Sequence, residues 1–415
     1  SSQTAVSGDG LSWQTAFPDL QTALTYPCSQ SLTEIWVAKG TYKPIYGQGF
    51  SMLPNVKIIG GFVGSETAIT GRPAINPVNG QPSSSTLTGN GNSVIVNNSN
   101  GLTASAVLDG FVITGGNTFN GGAIFNNSSS PTFVNCLLTG NKASYGGAIY
   151  SYTSNATFVN CALTGNTAEY LGGAIYISGG SPSLINCSLT GNKADYFGGG
   201  AIYNENSSNP SLINCSLTGN TAPVGGAIYN TNSGLTLTNA VVWNNGGANT
   251  FVNNNNSTIT AHYSLFDASV TGYTTDPTNL TTTTSPFVSS TSVALIACAP
   301  AINAGAPTSQ TAATGPYSVT ALPTTDLSGN QRIVGGRVDM GAVEFQGTPN
   351  YPVAFTLSPS SGTAVCVGSP VSIPVSVSGT GPVYQWYKDG TVLTGVASAT
   401  TATLSLPSAT TADAG

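Results

Sequence analysis

Between residues 108 and 251 the apolar positions recur in short bursts at a fixed period. The motif GGAI begins at Gly121, Gly146, Gly172, Gly199 and Gly225, with successive spacings of 25, 26, 27 and 26 residues. Between these copies runs a second motif: FVNCLLTGN (133–141), FVNCALTGN (158–166), LINCSLTGN (184–192 and 212–220) and the divergent LTNAVVWNN (237–245). The segment LDGFVITGGN (108–117) reads as an earlier, divergent copy. Within each period, three- and four-residue runs rich in β-branched, aliphatic and aromatic residues alternate with Gly, Asn, Ser and Pro, which is the chemistry of strands and turns. No stretch of the repeat keeps a helical period over 11 residues.

A unit of about 25 residues made of short strands cannot bury a core by itself, but stacked units can. Each strand then pairs in parallel with its equivalent about 4.8 Å along the axis. The expectation is an all-β, right-handed, single-stranded parallel β-helix. Equivalent residues fall in columns. Asn135, Asn160, Asn186, Asn214 and Asn239 make one, and Asn141, Asn166, Asn192, Asn220 and Asn245 another. Stacked amides hydrogen-bond along such an axis, and Asn tolerates the left-handed backbone of tight corners. Cys136, Cys161, Cys187 and Cys215 form a third column, replaced by Ala240 in the last copy and Gly110 in the first. Metal sites want cysteines two to four residues apart. The column therefore reads as small buried thiols and not as metal ligands or disulfides.

An open solenoid end exposes unpaired strands and needs a cap. The stretch 11–26 places Phe17, Leu20, Ala23 and Leu24 on one face of a short helix, read as that cap. EIWVAKGTYKP (34–44) and NVKIIGGFVG (55–64) read as the first coils, followed by a long loop at roughly 65–85. Residues 253–267 give one more coil, and a Thr-rich loop covers 274–285. The segments 285–307 and 325–345 close a first domain spanning 1–348. In the second, Arg332, Arg337, Asp339 and Glu344 are expected to form a salt-bridged cap that ties the last coil. Residues 349–415 change character. Cys366 followed by Trp386 suits an immunoglobulin-like sandwich. Its expected Asp-x-Gly-x-Tyr-x-Cys step is cut at Asp413, so the module reads as incomplete and the natural protein as longer.

Composition narrows the setting. Charged residues are 6% of the chain, against about 25% in ordinary soluble domains. Gly, Ser, Thr and Asn take their place, as in secreted bacterial β-proteins. A net charge of −6 disfavours nucleic acid as a partner. No apolar run reaches the roughly 18–20 residues that span a bilayer. The chain does not begin with Met, which points to a processed form.

Candidate chemistry is sparse. Between 108 and 251 the charged residues are Asp109, Lys142, Glu169, Lys193, Asp195 and Glu205, and the chain has a single histidine, His262. A lyase would need a carboxylate cluster for Ca²⁺, and a glycosidase two carboxylates about 5–10 Å apart. Glu169 and Asp195 each follow a column asparagine by three residues, so they should stack on adjacent coils as a weak Ca²⁺ candidate. The blander reading, two solvated turn residues, is preferred. No catalytic residue is assigned and no cofactor is expected beyond that possible Ca²⁺. Tyr145, Tyr170 and Tyr196, with Tyr152, are candidates for stacking on sugar rings. Tyr150, Tyr176, Tyr203 and Tyr229 form an aromatic column read as packing.

The GGAI and LTGN units resemble the GGAI and FxxN repeats of the chlamydial polymorphic outer-membrane proteins, with Leu138, Leu163, Leu189 and Leu217 where those have Phe. The opening GDGLSWQTAFPDLQTAL and IWVAKGTYKP, with the closing DLSGNQR and DMGAVEF, are similar to Bacteroidetes-type surface proteins. In those a pectate-lyase-like β-helix precedes Ig-like modules. The resemblance covers about residues 5–346. It implies a secreted, cell-surface, adhesin-like or structural protein that binds a glycan or protein partner. Self-association into a filament and a polysaccharide lyase or glycosidase activity are the alternatives.

Overall fold

The computed structural model describes residues 8–26, 32–78, 84–99, 101–246, 249–306, 322–349, 354–357, 365–380 and 382–413. They form two units, one of residues up to 296 with 300–346 and one of 297–299 with residues from 347 on. Cys28 lies outside the described residues.

The first unit is a parallel β-solenoid. A nine-stranded sheet runs from Glu34–Ala38 to Thr258–His262, and a ten-stranded sheet from Gly40–Tyr42 to Leu280–Thr282. A seven-stranded sheet, Ile95–Asn98 to Phe251–Asn254, forms a third wall, and a four-stranded sheet begins at Asn117–Asn120 and ends at Lys193–Ala194. One coil visits all four in turn: Thr132–Val134, Leu137–Thr139, Lys142–Tyr145 and Ile149–Tyr152. Register between coils is the one the repeat predicts, with Phe133 opposite Phe158 and Leu138 opposite Leu163.

The alternation within each short strand decides what is inside. Phe133, Phe158, Leu184 and Leu212 fill one wall of the core, Leu138, Leu163, Leu189 and Leu217 the second, and Ile149, Ile175, Ile202 and Ile228 the third, all at most 1% exposed. Phe133 and Phe158 stack with ring centres 5.0 Å apart. The four column thiols are fully buried, and burial pushes those of Cys136, Cys161 and Cys187 well above the ordinary thiol range. Each donates to the carbonyl two residues earlier, as Cys187 does to Ile185 at 3.4 Å.

The glycine pair turns the chain between the four- and seven-stranded sheets. Gly172 has φ 69°, where side chains are strained. At Gly173 the obstacle is the neighbouring coil, since a Cβ there would lie 2.2 Å from the carbonyl oxygen of Gly200.

The cap helix is shorter than expected, Leu20–Thr25, because Asp19 caps it by accepting from the Thr22 amide at 2.7 Å. Leu20 and Leu24 enter the solenoid core. Phe17 lies outside the helix and packs on Tyr26 at 4.9 Å. At the other end Tyr273 stacks on Phe266 at 4.1 Å. The Thr-rich stretch is not all loop, because Leu280–Thr282 adds a strand to Leu265–Asp267.

The closing segment departs from expectation. Besides reaching the last coil at Tyr263, it runs along the side of the solenoid, over the corner held by the first asparagine column. Gly341 donates to the Asn239 carbonyl at 2.6 Å, Asn214 donates to the Asp339 carbonyl at 3.2 Å, and Asn186 to the Thr325 carbonyl at 3.1 Å. Arg332 is 1% exposed and donates to the carbonyls of Asp339 and Gly341. Arg337 leaves the cluster, donating to the Gly305 carbonyl and sitting 5.8 Å over the Tyr263 ring.

In the second unit the described strands pair antiparallel: Ala354–Leu357 with Ser376–Ser378, Val371–Pro374 with Thr403–Leu406, and Tyr387–Lys388 with Thr391–Val392. Cys366 is exposed and Trp386 half-buried, its indole N–H donating to the Thr401 carbonyl at 2.9 Å. The buried Cys–Trp centre expected of an Ig-like core is not formed by these residues.

Candidate functional site

The side chains with most to offer a ligand lie on the four-stranded sheet and the adjoining outer face of the seven-stranded sheet. Alternation turns Ile149 and Ser151 inward and leaves Tyr150 and Tyr152 outward, and each coil repeats this choice. Two aromatic lines result, side by side along the axis.

The inner line is Phe125, Tyr150, Tyr176, Tyr203 and Tyr229. Ring centres are 5.5, 4.9, 5.6 and 5.1 Å apart and neighbouring planes differ by 14° or less. The ring faces are spent on one another. The Tyr176 hydroxyl donates to the Glu205 carboxylate at 2.6 Å, and Asn254 donates to the Tyr229 hydroxyl. Burial, reinforced by Glu205, pushes the Tyr176 and Tyr203 phenols upward, so both stay protonated.

The outer line joins Tyr145, Tyr170 and Tyr196, three of the tyrosines singled out from sequence, to Phe119 and Phe197. Centres are 5.2 to 6.0 Å apart, but planes are turned by 30 to 69°. Tyr145 and Tyr170 stack at 5.7 Å, but the line does not close into a continuous stack. Phe119, Phe197 and Tyr196 are 63, 57 and 65% exposed. Tyr145 touches the inner line edge-on at Tyr176, 5.8 Å away.

Glu169 and Asp195 do lie on adjacent coils, since the Thr167–Lys193 register continues through them and the Tyr196 amide donates to the Glu169 carbonyl. Their carboxylates are separately engaged. Lys193 holds Asp195 at 2.7 Å, and the Ser144 hydroxyl donates to Glu169 at 3.1 Å. Among the described residues no group of three or more His, Cys, Asp or Glu stands together in a way that could hold a metal ion. The pair therefore supplies one carboxylate not already ion-paired, which is thin provision for Ca²⁺.

Two columns escaped the sequence reading. Asn97, Asn126, Asn204, Asn230 and Asn253 stack on the inner side of the seven-stranded sheet, with Asn97 donating to Asn126 and Asn204 to Asn230 at 2.9 Å. Ser208, Ser233 and Ser257 line the next corner, each hydroxyl accepting from a backbone amide of the preceding coil. Aligning the residue two places after each repeated Ile would have found the first column. Ser151 and Ile177 interrupt it.

A family model described as the right handed beta helix region matches residues 121–293. With the parallel coils described above, this supports a right-handed β-helix repeat fold over residues 121–293. No curated protein and no solved structure matches the chain. No helix among the described residues is long and apolar enough to cross a membrane.

Proposed function

We propose that this chain is an extracellular, cell-surface protein of adhesin or structural type, presenting its solenoid for glycan or partner binding without transforming what it binds. The observation that carries this reading is the outer aromatic line, with Phe119, Tyr196 and Phe197 open to solvent and Tyr145 and Tyr170 half-buried, beside a sheet surface of amides and hydroxyls. Exposed aromatic rings in a row are costly to leave in water and are characteristic of interaction surfaces. The low charge supports an extracellular setting but does not identify a partner.

A second reading, a polysaccharide lyase or glycosidase, is favoured by one observation: Glu169 and Asp195 sit in register beside that same line. The two separate cleanly. The purified chain is incubated with neutral and acidic polysaccharides, with Ca²⁺ and with chelator, and both retention and new chain ends are followed. Retention without new ends is expected. Calcium-dependent release of ends would overturn the proposal, and Glu169→Ala and Asp195→Ala would then abolish that release.

A further inference from the structure

We infer that the outer aromatic line is a binding track for one uncharged, extended β-linked hexopyranose chain, lying parallel to the solenoid axis with one sugar to each coil. The inference rests on the surface-binding reading and names its ligand class and its site.

Three features of the face select this occupant. The first is the contrast between the two lines. The inner rings satisfy their faces by stacking on each other, with planes within 14°. The outer rings are turned by 30 to 69°, and of their neighbouring pairs only Tyr145 and Tyr170 stack, 5.7 Å apart at 30°. Their faces are left for something flat and weakly polarised, and the axial C–H groups of a pyranose meet an aromatic face in that way. The inner line holds the outer one from behind, through the Tyr145–Tyr176 contact.

The second feature is pitch. Phe119, Tyr145, Tyr170 and Tyr196 supply one ring per coil over four coils, with centres 5.2 to 5.9 Å apart. An extended β-1,4-linked hexopyranose chain advances by roughly one pyranose ring length per sugar, close to the step of about 4.8 Å between stacked strands. Successive sugars can therefore meet successive rings without either partner bending. A peptide strand repeats its side chains on one face only every second residue and does not match a ring at every coil.

The third feature is charge. On the strands that carry the line, Lys142 and Lys193 are balanced by Glu169 and Asp195, and Lys193 and Asp195 are already paired at 2.7 Å. A polyanion gains nothing there. It would also approach the Glu205 carboxylate that holds Tyr176. Hydroxyl-bearing neutral sugars instead find Ser144, Glu169 and the tyrosine hydroxyls as hydrogen-bonding partners at the rim.

The test uses the full chain, with soluble β-1,4-glucan and β-1,4-mannan as probes and polygalacturonate as the polyanion control. Retardation in affinity electrophoresis is expected with a neutral chain and not with the polyanion. For oligosaccharides of the retained polymer, affinity should climb from the disaccharide to the tetrasaccharide, because four coils carry the line. Tyr170→Ala should weaken binding roughly three- to tenfold, while Tyr170→Phe, which keeps the ring, stays near the parent. Tyr196→Ala serves if Tyr170→Ala unfolds, since its side chain is mostly exposed. Glycan binding that neither substitution disturbs would overturn the track and leave the surface-binding reading in place. Failure of both neutral polymers to bind would also overturn it, with a protein partner remaining for that reading. New chain ends in the same mixtures would instead overturn the reading itself.

Discussion

The two asparagine columns visible in the repeat hold the solenoid in different ways. Along Asn141, Asn166, Asn192, Asn220 and Asn245, each earlier amide donates to the next side-chain oxygen at 2.8 to 3.0 Å. The same oxygen takes the backbone amide of the earlier asparagine, and each side chain also reaches a backbone carbonyl, as Asn192 does at Leu163. These residues are at most 1% exposed, and the residue before each takes the left-handed turn, a glycine such as Gly191 with φ 60° in the first four and Asn244 with φ 54° in the last. Along Asn135, Asn160, Asn186, Asn214 and Asn239 the asparagine itself is left-handed, φ 51 to 54°. Its amides donate in the opposite direction at 3.1 to 3.3 Å, and the chain breaks between Asn186 and Asn214, where both turn to the closing segment. One column is a self-sufficient ladder. The other is a row of corner residues that shares its hydrogen bonds with a distant stretch of chain.

The largest expected effect follows from that difference. Asn192→Ala leaves the Asn166 side chain and backbone amide and the Leu163 carbonyl without their buried partner. At about 1–3 kcal/mol per orphaned group, the loss should be about 4 kcal/mol. Asn160→Ala loses two long hydrogen bonds and puts a Cβ without a local hydrogen bond into a left-handed turn. That costs about 2 kcal/mol. Urea unfolding of the two variants checks the ranking, and equal midpoints would erase the distinction between ladder and corner.

The second effect concerns what the corner column leans on. In the closing segment three buried carboxylates surround one guanidinium, and each carboxylate organises an irregular backbone. Asp326 accepts from the amides of Ser328, Asn330 and Glu344, Asp339 from those of Asn303 and Phe345, and Glu344 from those of Val334 and Asp339. Arg332 comes only to 3.8 Å from Glu344. Burial wins, and it pushes Glu344 up to about 7 from an ordinary 4.5, with Asp326 and Asp339 raised for the same reason. Between about pH 4.5 and 7 the folded chain therefore keeps a proton that the unfolded chain releases, so stability falls as pH rises through that window. Glu344 alone accounts for up to about 3 kcal/mol. The carboxylates whose values are lowered, Glu66 to about 2 among them, act only in more acidic solution. The expected result is a higher melting temperature at pH 5.5 than at pH 8. Glu344→Gln should flatten that difference, and an unchanged slope would remove Glu344 as its source.

Much of this was legible in the sequence, for a physical reason. In a stacked solenoid the partner of a residue is its equivalent one period away. Period and register therefore follow from the positions of GGAI and LTGN, and with them the buried Leu, Phe and Cys columns. What resisted is whatever depends on something other than the period. The closing segment bonds to coils more than 100 residues earlier, as Ala342 does to Ser216 at 3.0 Å, and no spacing announces that. Tyr145, Tyr170 and Tyr196 could be named as exposed rings. Their division from Tyr150, Tyr176, Tyr203 and Tyr229 followed from their places in the repeat, whereas the plane angles of the two lines, which composition does not encode, did not.

The smallest effect is the sharpest discriminator between the columns. Asn160→Gly removes two hydrogen bonds of 3.2 and 3.3 Å, but it also removes the only Cβ at a position with φ 51°. Relief of that strain, about 1 kcal/mol, offsets much of the lost bonding, so the net change should stay within about 1 kcal/mol. Asn192→Gly gains no such relief, because Gly191 already makes the turn, and it adds the backbone freedom of a second glycine to the unfolded chain. It should cost at least as much as Asn192→Ala. The order Ala worse than Gly at 160, and Gly no better than Ala at 192, is a sign reversal that unfolding midpoints resolve. If glycine were the worse residue at both positions, the hydrogen bonds and not the left-handed turn would be what keeps asparagine in the corner column.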